Sequence, residues 1–335
     1  MSDVEAGYQG VEPGDLVFHA LDGFAGAIGV SDSRGKCTPV YHVCDAPLGD
    51  DLRFVAYSLR AMGTTGFLAL QAGTVRQRSV DFRPWESLAR IPFPRPPLEA
   101  QRALGEKLDS ETARIDALIG KKRIMIALLG ERRVALTDSV ILTRRAPTRP
   151  VAALATYING FPFKPGDFTP DGLPVIRIRQ LVDPSAELDY FNGVVPDRAR
   201  LRDGDLVFSW SGSLEARLWD RGPAILNQHL FRVIPSPGVD KSWLLYVLDT
   251  STRLFDGLMH GSAMTHITKP MMKDVRVPLP PGPEQRDIGR TLDAAWQVHD
   301  LAVESLRKQI NLLDEHRDAL ITAAVTGQLG LAETA

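Results

Sequence analysis

Seven histidines (19, 42, 229, 260, 266, 299 and 316) are the first groups to test for chemistry. They form no His-x-x-x-His pair and no Cys/His cluster of the kind that holds zinc. Cys37 and Cys44 are too few for a disulfide framework and read as two neutral thiols in a reducing compartment. No Gly-x-x-x-x-Gly-Lys-Ser/Thr phosphate loop occurs, so no ATP motor is encoded, and no Asn-Pro-Pro-aromatic stretch is present to hold a flipped base. Gly23-x-x-Gly26-x-x-Gly29 departs from the dinucleotide fingerprint and reads as a loop.

What remains is polar groups on turns and strand ends, the types that bond to base edges in the major groove. In residues 151–281 these are Lys164, Arg177, Arg179, Gln180, Ser209, Ser211, Ser213, Arg217, Asn227, Gln228, His266 and Lys269. Arg177-Ile178-Arg179 reads as a strand with both arginines on one face. Ser209-Trp210-Ser211-Gly212-Ser213 reads as a hydroxyl-rich turn after an apolar strand. Earlier in the chain the comparable groups are Arg34, Lys36, Tyr41, Arg76, Gln77 and Arg78. The competing reading of each arginine is a solvated surface charge, and that of Asn227-Gln228 is a pair of buried hydrogen-bonding groups.

The elements that must position these groups come in two copies. Ile91-Pro92-Phe93-Pro94 recurs as Val277-Pro278-Leu279-Pro280, each followed by a Gln-Arg pair, Gln101-Arg102 and Gln285-Arg286. From there the copies run without a gap: Leu108-Asp109 matches Leu292-Asp293, Arg133 matches Arg317, and Ala135-Leu136 matches Ala319-Leu320. Upstream, Gly14-Asp15-Leu16-Val17-Phe18 reappears as Gly204-Asp205-Leu206-Val207-Phe208. Each copy is a mixed domain, a Pro-rich hinge and a long helix without an interior proline.

Leu104, Leu108, Ile115, Leu118, Met125, Leu129 and Leu136 form a narrow stripe of coiled-coil type. Ile288, Leu292, Val303, Leu306, Ile310, Leu313 and Leu320 form its counterpart. Residues 98–145 carry 10 basic and 7 acidic groups, net +3, and residues 282–335 carry 5 and 9, net −4. Opposite charge favours pairing of the two rods with each other, antiparallel. The fold class expected is α+β: two mixed α/β domains separated by two long helices that pair as an antiparallel coiled coil. The boundaries are 1–97 for the first domain, 98–146 for the first helix, 147–281 for the second domain and 282–330 for the second helix. Expected strands are Leu16 to His19, Val40 to Cys44, Leu173 to Ile178, Leu206 to Trp210, Ala224 to Val233 and Val275 to Leu279. Domain helices are expected at Leu52 to Met62 and Lys241 to Leu258.

A chain of 335 residues fits two domains. Its net charge of −2 argues against coating nucleic acid by bulk charge, but not against a reader with local basic groups. No apolar run reaches the length of a membrane span and no signal-peptide pattern opens the chain, so a cytoplasmic protein without membrane contact is expected.

Two hinges of Pro-Pro-x-x-Glu-Gln-Arg type carry a family resemblance: Pro96-Pro97-Leu98-Glu99-Ala100-Gln101-Arg102 and Pro281-Gly282-Pro283-Glu284-Gln285-Arg286. The ending Leu320-Ile321-Thr322-Ala323-Ala324-Val325-Thr326-Gly327-Gln328-Leu329 adds to it. The chain resembles the specificity subunit of a type I restriction-modification system over essentially its whole length. That resemblance implies two target-recognition domains that alternate with two conserved helical regions and read a bipartite, asymmetric double-stranded DNA sequence. It implies no catalysis by this chain and no cofactor bound to it. S-adenosylmethionine, ATP and Mg are expected on partners, namely a methyltransferase subunit in two copies and a restriction subunit.

The sequence departs from the pattern in two places. The first domain has 13 residues before Gly14 where the second has 53 before Gly204, a difference of roughly 40. A truncated frame, a split system or a more weakly read half-site all fit that difference. The first hinge also carries Leu98 and Ala100 as extra residues, expected to alter only the entry angle of the helix. Lys121-Lys122-Arg123 and Arg132-Arg133 read either as a solvated face or as groups for partner subunits and phosphates. The rival readings are a degenerate or split specificity subunit reading one half-site, a coiled-coil adaptor without DNA selectivity, and an independent enzyme.

Overall fold

The computed structural model describes residues 7–71, 81–256 and 266–328. It forms two compact units, Met1–Met125 with Glu304–Ala335, and Ile126–Val303. Each unit joins one mixed domain to a stretch of both long helices.

The first unit contains β1 (Gln9–Val11), β2 (Leu16–His19), β3 (Ile28–Val30), β4 (Gly35–Cys37) and β5 (Tyr41–Cys44). Helices α1 (Leu52–Thr64), α2 (Phe67–Gln71) and α3 (Trp85–Ala89) follow, then the long α4 (Leu98–Leu142), whose later turns belong to the second unit. β2 lies between β3 and β5 in an antiparallel sheet, and β1 pairs with β4 in a separate ribbon. The strand alternation turns Leu16 and Phe18 onto Val55, Ala56 and Leu59 of α1. The Asp51 carboxylate starts α1 by accepting the Arg53 and Phe54 N–H groups.

The second unit begins with β6 (Thr148–Pro150), β7 (Ala155–Asn159), β8 (Leu173–Ile176), α5 (Ile178–Val182), β9 (Asp189–Phe191) and β10 (Arg200–Leu201). It continues through β11 (Leu206–Ser209), β12 (Ala216–Leu218), β13 (Ala224–Leu226), β14 (Leu230–Pro235), α6 (Lys241–Asp256), α7 (Lys269–Asp274) and β15 (Arg276–Pro278). The second long helix, α8 (Gly282–Val325), closes the series, and its later turns belong to the first unit. One antiparallel sheet has the order β12-β11-β14-β7, and a second has the order β10-β13-β8-β9, with β13 and β8 parallel.

Several strands are shorter than their apolar runs. The run Ala224 to Val233 is two strands, because residues 227–229 turn between β13 and β14. The run at Leu173 stops at Ile176, where the backbone turns into α5.

The duplicated Gly-Asp-Leu-Val-Phe motif forms the central strand of both sheets, with different burial. All four residues of β11 are buried, while in β2 only Leu16 and Phe18 are. In the second domain Leu206 and Phe208 face α6, and Val207 is buried against Ile176, Leu201 and Leu226 of the other sheet. The equivalent of Val207 in β2, Val17, is only partly buried.

The rods pair as the charge balance predicts. In the first unit Asp116 of α4 bonds Arg317 of α8, and Lys122 bonds Gln309. In the second, Arg133 bonds Asp300, and Arg144 lies 3.6 Å from Glu284. As one number rises the other falls, so within each unit the helices run antiparallel. Exposed ion pairs of this kind contribute little, and the apolar seam supplies most of the pairing energy. The buried rod positions are Leu104, Leu108, Ile115 and Ile119 on α4 and Ile288, Leu292, Leu306, Ile310 and Ile321 on α8. Leu104 and Leu108 cluster with Ile321 and with Phe54 and Tyr57 of α1, and Ile288 and Leu292 with Trp243 and Leu244 of α6. Leu118, Met125 and Leu136 of the expected stripe are instead exposed, because the buried face steps by four residues from Ile115 to Ile119.

The hinge glutamines show why the two hinges share one pattern. Gln101 and Gln285 are each 2% exposed. Gln101 accepts the Asp51 N–H at 2.9 Å and donates to Asp50 and to the Pro96 carbonyl. Gln285 accepts the Asp240 N–H at 2.8 Å and donates to the Gly238 and Pro280 carbonyls. One side chain thus ties the start of a rod to the start of a domain helix, in both copies. About two turns along each rod, Tyr57 donates to Asp109 and Tyr246 to Asp293. Gln285→Ala is expected to cost about 2–3 kcal/mol, because it leaves a buried N–H and a buried carbonyl unpaired. Urea denaturation of the full chain measures the loss, and a change below about 0.5 kcal/mol would show that the amide is dispensable.

The first hinge adds charge to this anchor. Hydrogen bonds from Arg95 and Gln101 hold the Asp50 carboxyl below the usual carboxylate range. Burial works against ionisation of Asp51, but its bonds from Arg53 and from the Arg53 and Phe54 N–H groups outweigh it, and the net direction is also down. Groups lowered in the folded state stabilise it above the ordinary carboxylate pKa, near 4, and lose that contribution as pH falls through their lowered values. The Asp50→Asn variant is therefore expected to show a shallower loss of stability as pH falls below about 4, measured by thermal melting across that range.

Candidate nucleic-acid interface

Three strand ends and one loop meet at one edge of the second domain. The parallel strands β8 and β13 end side by side, with Val175 opposite Ile225 and Ile176 opposite Leu226. From them emerge Arg177 and the turn Asn227-Gln228-His229. β11 ends nearby and delivers Trp210 to Leu214. The backbone at Ile267 closes the set by donating to the Trp210 carbonyl at 2.8 Å, and Ser211 forms a β-bridge with His266.

Trp210 organises this edge. Its indole N–H donates to the Gln228 carbonyl at 3.1 Å, which also accepts from Asn159. Ring centroids of His229 and His266 lie 5.5 and 5.8 Å from that of Trp210. Ser211 Oγ and His229 Nδ1 are 3.2 Å apart. The Gln228 Oε1 and the His266 Nδ1 are buried without a hydrogen-bond partner. Buried polar atoms are rarely left unpaired, and two in one loop cluster suit an edge that rearranges around a hydrogen-bonding ligand.

On the other side of Gly212, whose added Cβ would lie 3.6 Å from Ile178, stand Arg177, Arg179 and Asp189. Arg177 is the N-cap of α5, and this corrects the strand expected over Arg177-Ile178-Arg179. The extended run cannot continue, because the Gln180 side chain folds back to accept the Arg177 N–H.

Of the candidates named from the sequence, Arg177, Arg179, Ser211, Ser213, Gln228 and His266 lie on the segments that form this edge. Lys164 is exposed on the loop that leads from Phe161 and Phe163 to Phe168. Three further residues do not present free groups. Gln180 is fully buried, and besides Arg177 it bonds the Glu187 carbonyl. Ser209 is fully buried, donates to Ser213 O and accepts the Glu215 N–H. Asn227 is buried and accepts the His229 N–H, the hydrogen-bonding role weighed for it above. These are corrections: each side chain closes a turn that sequence alone cannot see.

Arg217 is half-buried on β12 and bonds Glu215 at 3.0 Å. Lys269 opens α7, and its backbone alone is described. Trp210 and His229 fell within the expected strands Leu206 to Trp210 and Ala224 to Val233 and were not singled out as base-reading groups.

In the first domain the same backbone scheme recurs. Ala20 N–H donates to Val40 O and Phe82 N–H to Ala20 O, as Trp210 N–H does to His229 O and Ile267 N–H to Trp210 O. This edge presents His19, packed edge-on against Tyr41 at 4.7 Å, and His42, which meets the half-exposed Trp85 at 5.6 Å. Tyr41 was expected, while His19, His42 and Trp85 were not. Arg34 stands beside the β1–β4 ribbon, paired with Glu12 at 2.8 Å, and Lys36 is on β4. Arg76, Gln77 and Arg78 lie outside the described residues.

Among the described residues no group of His, Cys, Asp and Glu is arranged to hold a metal ion. Burial raises both thiols, Cys44 to about 11 and Cys37 less far. Neither is a thiolate at neutral pH. Among the described residues no helix is long and apolar enough to cross a membrane.

Residues 174–311 match the family model described as type I restriction modification DNA specificity domain. The chain is 28% identical over 180 residues to the EcoBI specificity subunit of Escherichia coli, which covers 53% of this chain and 38% of that protein. It is 21% identical over 127 residues to the MjaVIII specificity subunit of Methanocaldococcus jannaschii, covering 38% of this chain and 29% of that one. The matched segments span well under half the length of these curated relatives.

Among solved structures, a chain from work on assembly and conformational transition of the type I R-M system superposes with a TM-score of 0.79 at 17% identity, covering 98% of this chain and 85% of that one. The HsdS subunit from Thermoanaerobacter tengcongensis gives 0.53 at 19%, covering 96% and 82%. Residues 174–311 are thus similar to the DNA specificity domain of type I restriction-modification systems, and the whole chain shares the fold of these solved structures.

Proposed function

We propose that this chain is the non-catalytic DNA-reading subunit of a type I restriction-modification complex. Its two domains each read one half of a bipartite, asymmetric site. The observation that carries this reading is the gathering of Arg177, Arg179, Ser211, Ser213, Gln228 and His266 at one strand-end edge, with hydrogen-bonding atoms left unpaired there. The same backbone scheme at Ala20, Val40 and Phe82 supports a second, chemically different reader.

Specificity in such a protein is the difference between right and wrong bases, about 1–3 kcal/mol for each mismatched pair. The reacting groups sit elsewhere: S-adenosylmethionine on two copies of a methyltransferase subunit, ATP and Mg on a restriction subunit. The rods suit docking of those partners, since Leu118, Ile124 and Leu312 of the first unit and Leu128, Val298 and Leu301 of the second stand exposed. Lys122 and Arg133 are engaged with the opposite rod, which leaves Lys121, Arg123 and Arg132 as the basic groups for a partner or a phosphate. Near-neutral overall charge fits a subunit whose phosphate contacts come mostly from its partners. Co-purification with a methyltransferase subunit, followed by selection of duplexes from a random pool, tests the reading. A two-part motif is expected, and retention without sequence preference would refute it.

A further inference from the structure

Arg177 differs from the other basic groups of its edge. Its guanidinium carbon lies 4.5 Å from the centre of the Phe168 ring, and its Nη1 lies 3.3 Å from Asp189 Oδ2. Its Nε is buried without a partner, and 35% of the side chain remains exposed. Arg179, 50% exposed, bonds the Glu187 carbonyl, and Arg217, 43% exposed, bonds Glu215; among the described residues only Arg177 of the three lies over an aromatic ring. A guanidinium stacked on a ring and steered by a carboxylate has lost most of its rotamer freedom before a ligand arrives. Arg177 is held this way, and the exposed part of its guanidinium, rather than the buried Nε, has N–H groups to offer.

A planar fork of parallel donors matches two adjacent acceptors. In the major groove that pattern belongs to guanine, through O6 and N7, whereas adenine sets a donor beside its N7. We infer that Arg177 reads a guanine in the half-site of the second domain, with Phe168 and Asp189 as positioning residues. The inference rests on the DNA-reading function proposed above. It goes further in naming one base and the residue that recognises it.

The test is selection from randomised duplexes by the full chain, co-purified with its methyltransferase subunit, at one fixed salt concentration. The wild type is expected to return a second half-site that contains a G·C pair. Arg177→Ala and Arg177→Lys are each expected to lose discrimination at that one position by roughly 10- to 100-fold and to keep the rest of the motif. The lysine variant keeps the charge and much of the stem, so it controls for folding as well as for simple attraction to phosphate.

Two results overturn the assignment while leaving the proposed function standing. One is a wild-type second half-site without a G·C pair. The other is an unchanged motif in both variants with binding weakened equally on all sequences, the mark of a phosphate contact. A wild-type complex with no sequence preference overturns the function, and this assignment with it.

Discussion

A single methyl group added at Gly160 is expected to dismantle the second reader. Gly160 follows β7, and a Cβ there would overlap the backbone carbonyl oxygens of Leu226 and Asn227. Both neighbours are backbone, so no side chain can rotate away. The close approach is also the lock of the site: Gly160 N–H donates to Leu230 O, Phe161 N–H to Leu226 O, and Gln228 N–H to Phe161 O. Alanine must push the end of β7 off the turn that carries Gln228 and His229. Overpacking costs about 1–3 kcal/mol, and each broken buried hydrogen bond adds about 1 kcal/mol. Gly160→Ala should therefore lose more than about 3 kcal/mol in the second unit. Hydrogen exchange read separately for residues 155–235 and for the first unit measures it. Loss of protection confined to the second unit is the expected result, and a variant as protected as the wild type would show that the approach at Gly160 is not needed.

The second large effect concerns spacing. If the rods set the distance between two readers, lengthening both must change the unread spacer and nothing else. Matched insertions of four residues at Met125–Ile126 and Val303–Glu304 fall at the boundaries between the compact units. They add about 6 Å of helix, the length of one to two base pairs, and rotate the seam by little more than a full turn. The selected motif should keep both half-sites and gain one or two base pairs between them. An unchanged spacer in a folded insertion variant would remove the rods from the role of ruler.

The rods were the most legible part of the sequence because their signal is long: a stripe of branched aliphatic residues, no interior proline, and two hinges in the same order. Even there Leu118 stood for Ile119, since steps of three and four residues both fit a short stretch of helix. The role of Gln101 and Gln285 was not readable, though their repetition was; only the fold shows that each amide reaches an N–H about 50 residues away in the chain. The site was half legible. Residue type found Arg177, Gln228 and His266, because those groups suit base edges wherever they sit. It also selected Gln180 and Ser209, whose polar atoms close turns, and passed over Trp210 and His229, which lay within expected strands. Whether a polar side chain faces inward is set by three-dimensional packing of segments distant in sequence, and periodicity does not encode it.

The measurement that bears most directly on the whole account is the DNA motif methylated when this chain is co-expressed with its methyltransferase subunit and the host genome is sequenced for modified bases. The account predicts one asymmetric motif of two short halves separated by an unread spacer, with the second half lost in the Gly160→Ala variant and the first half kept. A motif with only one half, or methylation without sequence preference, would contradict it.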